Sequence, residues 1–204
     1  MNILQDKDKK IALRPMTKDD TSKIIAWRNN PRVRNNFIYQ ELLTPETHLN
    51  WIKTMIETGK AIQFIIVNHN NKISHDIGSV YFRDINSVHK KAEYGIFIGE
   101  DKALDFGYGT LACKLACRYG FEVMNLHKIF LRVFSDNFSA IRSYEKSGFI
   151  REGLLRDDVY INGKFRDILI MSMINTDKIE SQGGGGAYHL IFSYVRYPTY
   201  SFVA

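Results

Sequence analysis

The spacing of hydrophobic and polar positions changes period several times along this chain, and each change marks an element. "IALRPM" (11–16) reads as a short strand ended by Pro15. In "TKDDTSKIIAWRNN" (17–30), Thr17 stands as an N-cap before two acids, and Ile24, Ile25 and Trp27 supply the apolar positions of a helix. "LTPETHLNWIKTMIETGK" (43–60) predicts a second helix, capped by Thr44, entered through Pro45 and closed by Gly59. Strand-like runs follow at 61–69, 72–85 and 89–99, the first two joined by "NN", a tight-hairpin signal. The third alternates cleanly. Ala92, Tyr94, Ile96 and Ile98 take one face, and Glu93, Gly95, Phe97 and Gly99 the other. Then come a helix from about Tyr108 to Met124, a strand over 127–135 and a helix over 137–148 ended by Gly148. Two alternating runs over 158–173 close the pattern around Asn162-Gly163. The order βααβββαβαββ predicts a mixed α/β (α+β) domain with a mostly antiparallel sheet, in which the strand–helix–strand unit at 89–135 supplies the parallel pair.

Composition narrows the class. A chain of 204 residues, 45% of them hydrophobic, is one ordinary globular domain. It has no run of eighteen apolar residues, and its start, "MNILQDKDKK", has no signal-peptide pattern, so a soluble cytoplasmic protein with no membrane partner is expected. The formal charge is +6, but the basic residues are scattered rather than striped, which argues against nucleic acid. A mild positive field suits an anionic small molecule, although an ordinary solvated surface explains the charge equally well. Cys113 and Cys117 sit four apart on one helix, where disulfide geometry is rarely reached; with no Cys or His pair nearby they read as small core residues, and no metal site is expected. The domain is placed at 1–180. Residues 181–204, "SQGGGGAYHLIFSYVRYPTYSFVA", read as a flexible glycine linker and an apolar aromatic tail whose one charge is Arg196. Such a tail docks on a sheet edge, pairs with a second subunit, or is a scar of frameshift or expression engineering; the last is preferred here, and a homodimer stays open.

The stretch "DFGYGTLACKLACRYGF" (105–121) raises a chemical question. Gly107, Gly109 and Ala112 lead into a helix, and glycines at a helix start let backbone N–H groups approach an anion such as a phosphate or pyrophosphate. The spacing also fits the dinucleotide fingerprint, but "EDKALDF" separates it from its strand and no second βαβ half follows. A Walker pattern is absent. The plain alternative is a tight loop that caps a helix.

Downstream, "SDNFSAIRSYEKSGF" (135–149) puts Asn137, Ala140, Ile141 and Tyr144 on one helical face. With "GYGTLA" before it, the run N-x-x-A-I-x-x-Y-x-K-x-G-F resembles two motifs of the GNAT superfamily of acetyl-CoA-dependent N-acetyltransferases, in the family's order and about thirty residues apart. The resemblance spans about residues 11–174. It includes "NLHKIFLRV" and "INGKFRDILIMSM", which look like the branch that acetylates ribosomal-protein N-termini and spermidine.

The resemblance implies a splayed parallel strand pair, acetyl-CoA as the cofactor, and direct attack by an amine in a ternary complex. It implies cofactor contacts from Phe97 and Ile98, whose backbone N–H groups would meet the oxyanion, and from the loop Leu104, Phe106, Gly107, Tyr108, Gly109 and Thr110. Leu104 stands where the family usually has Arg or Gln, with Lys102 as a substitute. Asn137 would cap its helix and touch the pantetheine arm beside Ala140. Tyr144 matches the tyrosine that protonates the coenzyme A thiolate, against the alternative of an aromatic core residue. Glu93, on the face that Gly95 and Gly99 open, is expected to relay the amine proton through water, against the alternative of a solvated strand carboxylate.

The acceptor is a small-molecule amine. "WRNNPRVRNNF" and "TPETHLNWIK" look like enzymes that acetylate a nucleotide-linked 4-amino sugar, and Arg28, Asn29, Arg32 and His48 are the candidate contacts. The alternative is that Trp27 and Trp51 are core and the charges solvated. A spermidine enzyme would want clustered carboxylates, and the first helices offer only Asp19, Asp20, Glu41, Glu46 and Glu57. A polyamine ranks second and a protein N-terminus third. An inactive acyl-CoA-binding module is the reading from outside enzymology.

Overall fold

The computed structural model describes residues 4–6, 10–69 and 75–176. The "NN" joint and the segment 181–204 lie outside them. Eight strands form one sheet: β1 (Leu4–Gln5), β2 (Ile11–Pro15), β3 (Ile62–Asn68), β4 (His75–Asn86), β5 (Lys91–Ile98), β6 (Lys128–Phe134), β7 (Ile150–Ile161) and β8 (Lys164–Ile174). Five helices accompany them: α1 (Thr21–Asn29), α2 (Pro31–Arg34), α3 (Pro45–Trp51), α4 (Tyr108–Glu122) and α5 (Phe138–Ser147). The strand order is β1-β2-β3-β4-β5-β6-β8-β7, and every neighbouring pair is antiparallel except β5 with β6, which α4 connects.

That parallel pair positions the site. Its ladder has three steps, Lys91↔Lys128, Ala92↔Ile129 and Glu93↔Phe130, and then the strands part. Beyond the split, β5 stays paired to β4 as far as Ile98, and β6 stays paired to β8 as far as Phe134. Each strand therefore keeps one satisfied edge and turns its other edge to an open wedge, where backbone groups need a partner from outside the sheet.

Both sheet faces are covered. Under α4 and α5 lie Ile11, Leu13, Phe64, Val80, Phe82, Tyr94, Leu115, Tyr119, Ile129, Leu131 and Met171. Under α1 to α3 lie Ala12, Met16, Ile24, Trp27, Ile52, Ile65, Val67 and Phe97. Cys113 and Cys117 are free and buried in the first cluster. Burial on both sides turns β3 into a continuous apolar run, "FIIV", rather than an alternating one.

Two expectations shift. The face of β5 that bears Gly95 and Gly99 is not open but filled: a Cβ at Gly95 would lie 2.2 Å from the Tyr81 ring, and one at Gly99 would lie 2.1 Å from the Trp27 indole. Trp27 cannot easily yield, because its indole N–H donates to Glu100 Oε1 at 2.7 Å. We expect Gly99→Ala to lower unfolding free energy by about 1–3 kcal/mol, the usual cost of overpacking, as read by chemical denaturation; unchanged stability would mean that the indole moves aside freely.

The second shift is β7, which begins at Ile150 rather than near Asp158. It is the sheet's edge strand, exposed along most of its length, and its register slips at Arg151/Gly153 and Leu155/Val159. An edge strand with solvent on both faces has no alternation to display. The turn after it is as expected: Asn162 and Gly163 hold φ of 51° and 79°, a left-handed pair that suits a tight hairpin.

Candidate active site

A cleft of about 790 Å³ opens where β5 and β6 part. Its walls are the free edges of both strands, the start of α4, one face of α5, and the chain from Arg32 in α2 to Tyr39 beyond it. Gly99 N–H is bonded to the Ile77 carbonyl on β4. By alternation the N–H of Phe97 also faces β4, so those of Ile96 and Ile98 face the wedge. The backbone donors on the wedge side are thus those of Ile98 and Ile96 rather than that of Phe97, whose ring packs edge-on to Trp27 and Phe37.

The cofactor end is built from turn geometry. Asp105 and Gly107 both hold positive φ, 66° and 75°, and Gly107 is the N-cap of α4. No side chain caps that helix, so its first N–H groups stay available to an anion, and the helix dipole favours negative charge there. Thr110 Oγ1 and Ser143 Oγ, 2.9 Å apart, tie this start to α5. Leu104, Gly107, Tyr108, Gly109, Thr110 and Ala140 all line the cleft. Lys102 and Phe106 do not: Lys102 sits exposed on the turn Asp101–Ala103, and the exposed Phe106 ring stacks on Tyr108 at 5.6 Å. The cations that α5 contributes to the cleft lining are Arg142 and Lys146, one turn apart.

Asn137 caps α5 by accepting from Ala140 N–H at 3.2 Å, and its amide donates to Asn36 Oδ1 at 2.9 Å, joining the two rims of the cleft. Tyr144 lies one further turn along. Its ring packs edge-on against Tyr94 at 6.5 Å and against Phe149 at 5.8 Å. It lines the cleft, and its hydroxyl makes no hydrogen bond to a described residue. Burial pushes the phenol pKa well above the ordinary tyrosine value, so it holds its proton.

Glu93 lies on the opposite face of the sheet. It is buried rather than solvated, and both neighbouring strands pair with it. Its Oε1 accepts from Arg83 Nη2 at 2.8 Å and from Arg132 Nε at 3.2 Å, and Oε2 accepts from Arg132 Nη2 at 3.3 Å. Burial disfavours the Arg83 charge, but the hydrogen bond to Glu93 together with the Coulombic attraction of Tyr81, Glu93 and Asp84 outweighs it and raises that guanidinium's pKa.

The four expected acceptor contacts divide. Arg32 lines the cleft, though it also fastens α2 to β5, donating to Asp101 Oδ1 at 2.7 Å and to the carbonyls of Ile98 and Gly99 at 3.1 Å. Arg28 stands behind the wall with its guanidinium 3.4 Å from the Phe37 ring centre. Asn29 and His48 are corrected to structural roles. Asn29 is spent on Leu43, giving to its carbonyl at 2.9 Å and accepting from its N–H at 2.8 Å. His48 is buried with Nδ1 3.1 Å from Thr21 Oγ1, and burial lowers its pKa. Sequence reasoning missed Arg83 and Arg132. "FLRVF" held a signal for Arg132, since a lone charge inside an apolar strand is tolerated only when it is paired.

A helix start with uncapped donors, a parting strand pair and an unbonded phenol facing the gap define an acyltransferase of the coenzyme-A-dependent kind. Residues 10–150 match the family described as "Acetyltransferase (GNAT) domain", and the chain belongs to that family. It is 32% identical to the spermidine N(1)-acetyltransferase of Escherichia coli K12 over 162 residues, 79% of this chain and 84% of that one. It is 28% identical to the putative ribosomal N-acetyltransferase YdaF of Bacillus subtilis over 100 residues, 49% of this chain and 54% of that one. Among solved structures, the spermidine N-acetyltransferase of Vibrio cholerae in complex with CoA and spermine superposes with a TM-score of 0.76 at 25% identity, covering 83% of this chain and 98% of the other. The protein is an acetyl-CoA-dependent N-acetyltransferase, and the residues at the cleft fit that cofactor. No helix among the described residues is long and apolar enough to cross a membrane.

Proposed function

We propose that this acetyltransferase acetylates a primary amine carried on an anionic small molecule, a nucleotide-linked amino sugar being the best fit. Acetyl-CoA supplies an activated thioester. The chain's own groups supply the rest. The first N–H groups of α4, with Arg142 and Lys146, hold the phosphates, and the wedge-facing N–H of Ile98 polarises the carbonyl. Tyr144 gives its proton to the departing sulfur as the amine nitrogen takes the acetyl group. The amine must arrive neutral, and its remaining proton leaves by water.

One observation carries the acceptor class. Away from the glycine loop and α5, the charged residues that line the cleft are Arg32, Arg83, Glu93 and Arg132; Arg32 is paired with Asp101, and Arg83 and Arg132 share Glu93, which leaves one cation in excess, with the exposed Asp84 3.8 Å from Arg83. A trication such as spermidine would meet like charge there, at a cost that grows as water is displaced.

A polyamine is the second reading, favoured over the sugar by the names of the Escherichia coli and Vibrio cholerae relatives. Thiol release from acetyl-CoA separates them when it is followed with a nucleoside-diphosphate-linked 4-amino sugar, spermidine and a peptide with a free N-terminus. We expect kcat/KM for the sugar to exceed that for spermidine by at least about tenfold, roughly the effect of 1.4 kcal/mol of charge discrimination. The reverse order would install the polyamine.

A further inference from the structure

Three strands deliver one charged cluster to the point of the wedge. Arg83 on β4 and Glu93 on β5 are direct cross-strand partners, and Glu93 belongs to the last pair before β5 and β6 separate. Arg132 is two residues past Glu93's partner Phe130, on the same face, and reaches back over the gap to take the carboxylate side-on at 3.2 and 3.3 Å. With the Arg83 bond at 2.8 Å, three charge-assisted donors occupy one carboxylate. Those bonds occupy both carboxylate oxygens and fix the group between the two guanidinium forks as their shared counter-ion. The cluster also keeps a surplus of one positive charge. The other acid in reach is the exposed Asp84, 3.8 Å from Arg83 Nε, and that Nε has no hydrogen-bond partner. Tyr81, buried beside them, is held neutral because burial raises its pKa.

We infer that Arg83 and Arg132 form the seat for the acceptor's anionic group, a phosphate or carboxylate, and that Glu93 positions the two guanidinium forks rather than receiving the amine proton. The planar forks suit two-point recognition of such an oxyanion. Their place at the floor of the wedge, across the sheet from Tyr144, sets the acceptor on the side from which its amine can attack. The inference rests on the proposal that the acceptor is anionic.

The test uses steady-state kinetics of the full chain with a nucleoside-diphosphate-linked 4-amino sugar and with the same sugar free of the nucleotide. Wild type is expected to prefer the charged sugar. Arg132→Gln and Arg83→Gln each reduce that preference at least about tenfold through KM for the charged sugar, while KM for acetyl-CoA stays within about threefold. Arg132→Lys, which keeps the charge but not the fork, loses an intermediate amount and guards against misreading a folding defect. Glu93→Gln keeps the rise of kcat/KM with pH that the amine itself causes, whereas a general base would add a second ionisation below it that the substitution removes. A wild type that prefers the charged sugar, with both glutamine variants preferring it equally, overturns the seat and leaves the acceptor class standing. A wild type that is indifferent to the nucleotide, or prefers spermidine, overturns both.

Discussion

Tyr144→Phe should lower kcat by about 10²- to 10⁴-fold, the range for loss of a positioned proton donor, with KM for acetyl-CoA nearly unchanged. The substitution keeps the ring against Tyr94 and Phe149 and removes one hydroxyl that no described residue engages, so stability should not change appreciably. Single-turnover measurement of thiol release is the direct readout, because it isolates the step in which the sulfur takes its proton. A variant within about twofold of wild type would return Tyr144 to the core-aromatic role that its burial also permits. The pH profile gives an independent check. Burial raises the phenol's pKa, so the protonated, donating form persists above the pH at which an exposed tyrosine would ionise. The acceptor amine, with a pKa near ~10 in water, must lose its proton first. Rate constants kcat/KM should therefore climb with pH and show no falling limb from Tyr144 up to about pH 10. A bell that turns over near neutrality would contradict this assignment.

Glu93→Ala should be the most destabilising change at the site, costing about 3–5 kcal/mol, because it strands two partly buried guanidinium groups rather than removing a balanced pair. Glu93→Gln should cost clearly less, since the amide oxygen still accepts from Arg83 or Arg132. Urea denaturation of both variants beside wild type measures the difference. Equal, small losses would mean that the cluster is solvated in solution and contributes little to holding the wedge. The ion ladder crosses the line where the β5–β6 backbone ladder stops, so its loss is also expected to loosen the cleft floor before the rest of the sheet.

These residues show how far the chain's pattern could be read directly. Alternation along Ala92–Gly99 placed Glu93 and Tyr94 on opposite faces, and the structure keeps them there. The helical spacing from Asn137 to Tyr144 and the glycines before α4 pointed to the elements that line the cleft. The Asn162-Gly163 turn and the parallel β5–β6 pair followed from the same local rules. All of these are properties of short segments, where period, caps and turn residues act within a few positions. Arg83 and Arg132 carried no comparable local meaning. Their role depends on the register of β4 against β5 and on how far β6 runs beyond its last shared pair.

His48 and Asn29 mislead for the same reason in reverse. Beside Trp51 and Arg28 in the sequence they look like polar contacts for a ligand, yet Leu43 takes both amide groups of Asn29 and Thr21 takes Nδ1 of His48, partners distant along the chain. Gly95 and Gly99 suggest an open face in the sequence, but packing decided that Tyr81 and Trp27 fill the space. Local periodicity and turn chemistry thus pointed to the elements, their order and the glycine loop that opens α4. Which charges face one another at the wedge, and so what the acceptor half is suited to hold, was decided by long-range strand register and burial, because a charge acquires its partner and its dielectric surroundings only when the chain has folded around it.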